Sequence, residues 1–383
     1  MSGSGPAVRV ICCDGSQEAV WQLDAALRCA LAGGESVVPL GPRQPLPPMD
    51  PGAGHVGLRT SGSTGRPKWV RLSTAALSAS AAAAHAWLGG PGRWLLALPA
   101  QHIAGLQVLV RTLLTSSRPV VLDLRGGFDP AQFAAAARRL AAGDASEPCY
   151  TALVPTQLSR LLDTDPEALD HFDAVLLGGA AAPADLLRRA QAVGVRVVRT
   201  YGMTETAGGC VYDEWPLAGM RVRLSGAGLI ELTGPMLATG YLAAPGDTAM
   251  ALRDGWFRTS DLGRLDGQGR LRVLGRVDDM IITGGLNVAP AEVEAVLTGL
   301  PGVAAACVVG LPDPDWGQRV TAAVIPTDPG QPPDPGELRI AARQLLTGAQ
   351  VPKEIILLDT LPLRGVGKPD RGALRTLLTT RDH

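Results

Sequence analysis

The chain has 383 residues, enough at roughly 100–200 per domain for two or three domains whose cores need no disulfide or metal staple. Its 35 basic and 36 acidic residues nearly cancel, which excludes the basic field that non-specific nucleic-acid binding requires, so no nucleic-acid partner is expected. Hydrophobic residues make up 46%, and the 47 glycines and 31 prolines together stay below the ~25–30% of a low-complexity chain. No apolar run approaches ~18 residues and the N-terminus carries no basic-then-apolar leader, so the expectation is a soluble, cytoplasmic protein without an integral membrane segment. An oligomer is left open. Cys12, Cys13, Cys29, Cys149, Cys210 and Cys307 show no C-x-x-C spacing, and neither a zinc site nor a disulfide framework is expected.

In chain order, the proline-rich stretch 39–54 is expected to be a loop, because each proline removes an amide donor from any helix interior or central strand. Short β-rich runs then alternate with helical ones. Strands are expected over 118–124, 150–154, 173–178 and 195–200, and helices over 79–86, 129–142, 156–163 and 183–193. That alternation predicts βαβ crossovers and a largely parallel sheet. Between about 219 and 275 the texture changes to Gly-punctuated strands, with a hairpin turn at Asp266-Gly267. After Arg276 a last segment again mixes a helix (290–300, opened by Pro290) with strands over 303–311, 319–326 and 354–359. The boundary is placed at Val277–Asp279.

Two local signals could carry chemistry. Thr60, Ser61, Gly62, Ser63, Thr64, Gly65 and Lys68 offer turning glycines, hydroxyl donors and a cation, which together suit a polyphosphate. It is not a Walker A loop, since Lys68 follows Gly65 across a proline and Trp69 replaces the hydroxyl residue. Alone, such a loop is more often a plain surface turn than a phosphate site. The second, Thr200 to Thr206, directly follows a strand, where ligands of open α/β sheets collect; Tyr201, Thr204 and Glu205 there could meet a purine, a phosphate and Mg2+. The bland reading is a packed tyrosine and a solvated glutamate.

TSGSTGRPK, YGMTE, GWFRTSDLGRLD, GRVDDMIITGGLNVAPAEVE and PLRGVGKPDR occur in the order and spacing of the adenylate-forming superfamily of acyl-CoA synthetases, adenylation domains and luciferases, which the chain resembles. In TYGMTETAGGCVYD and HIAGLQVLVR it is similar in particular to short 2-succinylbenzoate:CoA ligases of menaquinone biosynthesis. The resemblance implies an α/β fold: a large N-terminal domain, 1–277, with mainly parallel sheets and a small β-subdomain, and a smaller mobile α+β C-terminal domain, 278–383, swinging about Asp278. It implies ATP, Mg2+ and coenzyme A as cofactors and co-substrates, with a small-molecule acid as the other partner. The loop Thr60–Lys68 would hold the β- and γ-phosphates. Tyr201, Gly178, Gly179 and Ala180 would line the adenine pocket, and Asp261 and Arg276 would take the ribose. Thr204 would contact the α-phosphate, Glu205 would hold Mg2+, and Lys368 would bridge the attacking carboxylate and the α-phosphate.

The same resemblance implies that Gly284 and Gly285, in the loop Thr283–Leu286, line a CoA channel. It implies that Gly202, His102 and Arg111 meet the acid, with Arg111 on a spare carboxylate. A single regular helix would put His102 and Arg111, nine residues or about 900° apart, on opposite faces; a loop start within Pro99–Gly105 relieves that conflict. The chain departs from the pattern in two places. Only 59 residues precede Thr60, implying a reduced N-terminal subdomain, and Trp69 stands where a glycine is usual. Rival readings are another aryl- or acyl-CoA ligase, a stand-alone adenylation enzyme that loads a carrier protein, and an inert nucleotide-binding regulator, against which Lys368 and Glu205 argue.

Overall fold

The computed structural model describes residues 8–60, 67–144, 146–364 and 368–380, with the side chains of Arg364 and Lys368 left aside. Ser61, Gly62, Ser63, Thr64 and Gly65 lie outside the described residues.

Two sheets and the helices between them make up most of the chain. The elements are β1 (Val8–Cys12), α1 (Gln17–Leu31), β2 (Ser36–Leu40), β3 (His55–Arg59), β4 (Trp69–Ser73), α2 (Thr74–Leu88), β5 (Arg93–Leu96), α3 (Ile103–Leu114), β6 (Val120–Val121), α4 (Pro130–Ala141), β7 (Cys149–Leu153), α5 (Pro155–Thr164), β8 (Ala174–Leu177), α6 (Ala184–Ala192), β9 (Val197–Met203), β10 (Gly208–Tyr212) and β11 (Trp215–Pro216). In the larger sheet, ordered β11-β10-β9-β8-β7-β5-β6, the run from β9 to β6 is parallel and β10 and β11 are antiparallel additions. Side chains alternate across it. Trp94 and Leu96 of β5 join the core shared with α1, α2 and α3, while Leu95 joins Phe133, Leu158 and Val175 on the other face. The expected strand 118–124 shrinks to Val120–Val121, since β6 is the sheet's edge and pairs only with β5.

The proline-rich stretch does not begin as a loop: Pro39 and Leu40 end β2, paired with Ile11 and Cys12 of β1. The strand tolerates Pro39 because its pairing to β3 is confined to Val37↔Val56, so no amide is needed at 39 on that side. Trp69 is buried against Val38, Leu40 and Leu242, and its size fills a small core of its own.

Beyond β11 the chain forms β12 (Arg221–Leu224), β13 (Leu229–Thr233), β14 (Gly240–Tyr241), α7 (Pro245–Ala251), β15 (Leu252–Arg253), β16 (Trp256–Leu265) and β17 (Leu271–Arg276). All but β14 build one antiparallel sheet; β14 crosses over to β4. Asp266-Gly267 opens the turn between β16 and β17, but the turn closes later: Asp266 N donates to Arg270 O, and Gly269 takes the positive φ of 85°. The connection is therefore longer than a two-residue Asp-Gly hairpin.

After a short turn at Val277–Asp279 come β18 (Ile281–Thr283), β19 (Leu286–Val288), α8 (Pro290–Leu297), β20 (Val303–Asp313), β21 (Gly317–Pro326), α9 (Pro335–Leu345), β22 (Glu354–Leu357), β23 (Leu363–Arg364), β24 (Lys368–Pro369) and α10 (Arg371–Thr379). The order β19-β18-β21-β20, with β22 parallel to β21, gives a sheet packed on both faces. Val308 and Val320 face α8 and α9, whereas Cys307 and Val309 face α10. Among the described residues no helix is long and apolar enough to cross a membrane.

Candidate active site

The segment Thr204–Thr206 is a single 3-10 turn at the end of β9. Thr206 shapes it: its Oγ1 accepts from Met203 N at 2.9 Å and donates to Gly208 O at 2.7 Å. Gln107 of α3 donates to Ala207 O at 2.7 Å, and Ala238 N donates to Glu205 O at 2.8 Å. The turn is thus pinned from two sides, which fixes where Thr204 and Glu205 project. Gly202, paired with Gly209 across β9 and β10, has no alternative: a Cβ there would lie 2.0 Å from the Gly208 carbonyl oxygen.

Glu205 is half-buried, and the Tyr241 hydroxyl donates to its Oε1 at 2.9 Å. Burial pushes its carboxyl above the ordinary 4.5, opposed by that hydrogen bond and by the charges of Lys68 and Arg276. Lys68 pairs with Asp247 of α7 at 3.1 Å and lies 4.9 Å from the centre of the Tyr241 ring. Thr60 and Lys68 close the neck of the candidate phosphate loop, with Lys68 N donating to Thr60 Oγ1 at 3.1 Å and Thr60 N to Lys68 O at 2.8 Å.

On the neighbouring side, Asp261 of β16 faces Arg276 of β17 in register. Arg276 reaches it at 3.5 Å, and the Tyr201 hydroxyl donates to Asp261 Oδ2 at 2.7 Å. Gly178, Gly179 and Ala180 follow β8, beside Thr200, whose Oγ1 donates to Leu177 O at 3.2 Å. The fold therefore gathers Lys68, Tyr201, Glu205, Asp261 and Arg276 into one connected cluster, although 208 positions separate the first from the last.

His102 is exposed, extended at φ -102° and ψ 150°, and sits just before α3 begins at Ile103. Gly105 permits this, because a Cβ there would meet the Pro99 carbonyl oxygen at 2.4 Å. Arg111 lies two turns further, 3% exposed, with its guanidinium 4.7 Å from the Trp94 ring centre and Nη2 3.2 Å from the Tyr212 hydroxyl. Among the described residues no carboxylate pairs with it. Asp278 lies in the turn after β17, 3.4 Å from Arg276. Gly284 and Gly285 make the β18–β19 turn, at φ 56° and 77°, and Gly284 N donates to Trp316 O at 2.9 Å. Lys368 pairs through its backbone with Arg364 in the β23–β24 hairpin.

Three residues of this cluster and its surroundings escaped the reading of the sequence. Tyr241 and Asp247 hold Glu205 and Lys68 from elements that nothing local marks as their neighbours. Arg371 pairs with Glu294, lies 3.5 Å from Asp279 and donates to Val308 O at 2.9 Å. Its position three residues after Lys368, in GKPDR, was the available signal.

The chain matches the family model of AMP-binding enzymes over residues 14–236 and that of the AMP-binding enzyme C-terminal domain over 292–368. It is 48% identical over 322 residues to a probable 2-succinylbenzoate–CoA ligase of Mycobacterium tuberculosis, covering 83% of this chain and 82% of that protein. A 2-succinylbenzoate–CoA ligase of Geobacillus kaustophilus is 34% identical over 407 residues, 95% of this chain and 81% of that one. The o-succinylbenzoate CoA synthetase of Bacillus subtilis, solved with its acyl-adenylate intermediate, superposes with a TM-score of 0.77 at 25% identity, covering 96% of this chain and 87% of that one. The amide bond synthetase McbA of Marinactinospora thermotolerans gives 0.78 at 30% identity, over 97% and 80%.

Proposed function

This chain belongs to the AMP-binding enzyme family, and on that premise we propose that it is an ATP-dependent acid:CoA ligase acting on 2-succinylbenzoate, in the cytoplasm, for menaquinone biosynthesis. In the first step a carboxylate oxygen attacks the α-phosphorus of ATP, the bond to the bridging oxygen breaks, and pyrophosphate leaves. In the second the CoA sulfur attacks the acyl carbon, its thiol proton goes to solvent, and AMP leaves. The adenylate makes this feasible because AMP is a far better leaving group than an oxide.

Each residue of the cluster has chemistry suited to a part of ATP. Lys68 and the Thr60–Gly65 loop take the outer phosphates, Thr204 the α-phosphate, and the Tyr201 ring lies against adenine beside Gly178–Ala180. Asp261 and Arg276 offer an acceptor and donors to the ribose. Glu205 fits Mg2+: it is a partly enclosed carboxylate with no cation in direct contact among the described residues, and a hard cation prefers such oxygens. Mg2+ bound there would neutralise phosphate charge. Lys368 supplies the cation between carboxylate and α-phosphate, and a turn about Asp278 brings Gly284 and Gly285 to the CoA thiol's path.

The observation that carries the choice of acid is Arg111, a buried cation without a counter-ion among the described residues, as a second carboxylate on the substrate demands. The test is coupled AMP release over a panel of aryl and alkyl acids with CoA. Arg111→Ala should raise the KM for 2-succinylbenzoate by roughly 10- to 100-fold, the loss of one charged hydrogen-bonding partner, and leave the KM for ATP unchanged. Pyrophosphate exchange without CoA-dependent turnover would favour an enzyme that loads a carrier protein.

A further inference from the structure

We propose that His85 joins Arg111 in a closed site for the second carboxylate, with Tyr212 and Trp94 as positioning residues that hold the guanidinium toward it. The inference rests on the reading of the acid as a dicarboxylate.

Ile103, Gln107 and Arg111 fall at i, i+4 and i+8, so they share one face of α3. That face runs along β10: Gln107 touches Ala207 at the head of the strand, and Arg111 touches Tyr212 at its end. A substrate that reacts beside Thr204 and extends along this face ends at Arg111.

The polar groups gathered there are incompletely bonded. Arg111 Nε, His85 Nε2 and Trp94 Nε1 are all buried and have no hydrogen-bond partner among the described residues. His85 is 9% exposed and Trp94 fully buried. Native interiors pair nearly all such atoms, so three orphans, one on the cation itself and two on residues beside it, mark a place built for a ligand that brings acceptors and a negative charge. A carboxylate brings both. Burial, and then the Arg111 charge, push the His85 imidazole below its ordinary 6.5, so it meets the ligand as a neutral ring. Arg111 itself is held in place by the Tyr212 oxygen at 3.2 Å and by the Trp94 face at 4.7 Å. Tyr212 is in turn packed edge-on to Trp87, with ring centres 6.2 Å apart.

The experiment compares 2-succinylbenzoate with 4-oxo-4-phenylbutanoate, which lacks the aromatic carboxylate, in wild type, Tyr212→Phe, His85→Phe and His85→Gln. Tyr212→Phe and His85→Phe should each lower kcat/KM for the diacid ~5- to 20-fold, one hydrogen bond to a charged group, with the monoacid and the KM for ATP unmoved. His85→Gln, which keeps a donor, should recover much of the diacid rate. Equal losses on both acids would make these residues merely structural and overturn the inference, while leaving the ligase reading intact. A wild-type enzyme with no preference for the diacid would overturn the substrate reading and the site with it.

Discussion

The Tyr201 hydroxyl and the Asp261 carboxylate are joined by a 2.7 Å hydrogen bond that ties β9 of the larger sheet to β16 of the antiparallel one. Burial, reinforced by the Asp261 charge, holds the Tyr201 phenol well above its ordinary range, so it is a neutral donor at any working pH. The two side chains then have separable roles. Asp261→Asn should raise the KM for ATP about 10-fold, whereas Tyr201→Phe should cost about 1 kcal/mol of stability and shift that KM little. Pyrophosphate exchange and urea denaturation distinguish them; equal kinetic damage from both would contradict the separation.

Glu205 gives a pH-dependent prediction. Burial raises its carboxyl above 4.5, so between the unfolded and folded values the native state holds the extra proton and stability falls as pH rises. Glu205→Gln removes that charge while Tyr241 keeps an acceptor. Urea midpoints should show the variant more stable than wild type at pH 7.5, with the gain vanishing as pH drops to about 4.5, and adenylation lost throughout. A gain that persists in acid would show that the ionised carboxylate is not its source.

Lys368→Ala should abolish acid-dependent pyrophosphate exchange yet still convert supplied acyl-adenylate to thioester. Equal loss in both half-reactions would instead mark a general role in binding or folding.

Asp278→Pro fixes φ in a turn closed by Met280 N donating to Val277 O at 3.1 Å, a bond the substitution leaves in place. Adenylation should survive and thioester formation fail. Unimpaired overall turnover would remove the hinge from Asp278.

Arg371→Met removes one member of a partly buried cluster and leaves Glu294 beside Asp279 without their cation. A loss of about 3–5 kcal/mol is expected, confined to the unit that includes α8, β20 and α10. Hydrogen exchange of that unit against the larger sheet checks this; a uniform loss of protection across both would contradict it.

The sequence by itself carried whatever is local. Alternation in 118–200 made the parallel sheet legible, because strand and helix periods are written in consecutive residues, and the TSGSTGRPK and YGMTE runs stood out as candidate ligand segments for the same reason. The tertiary structure decided which distant residues meet. Nothing in the neighbourhood of Glu205 announces Tyr241, 36 positions on, and nothing near Arg111 announces Tyr212, since those contacts arise where β14 crosses to β4 and α3 packs on β10. Pro39 shows the same division. Its missing amide argued against a strand, and only the sheet could show that no partner needs that amide, because β3 has already diverged from β2.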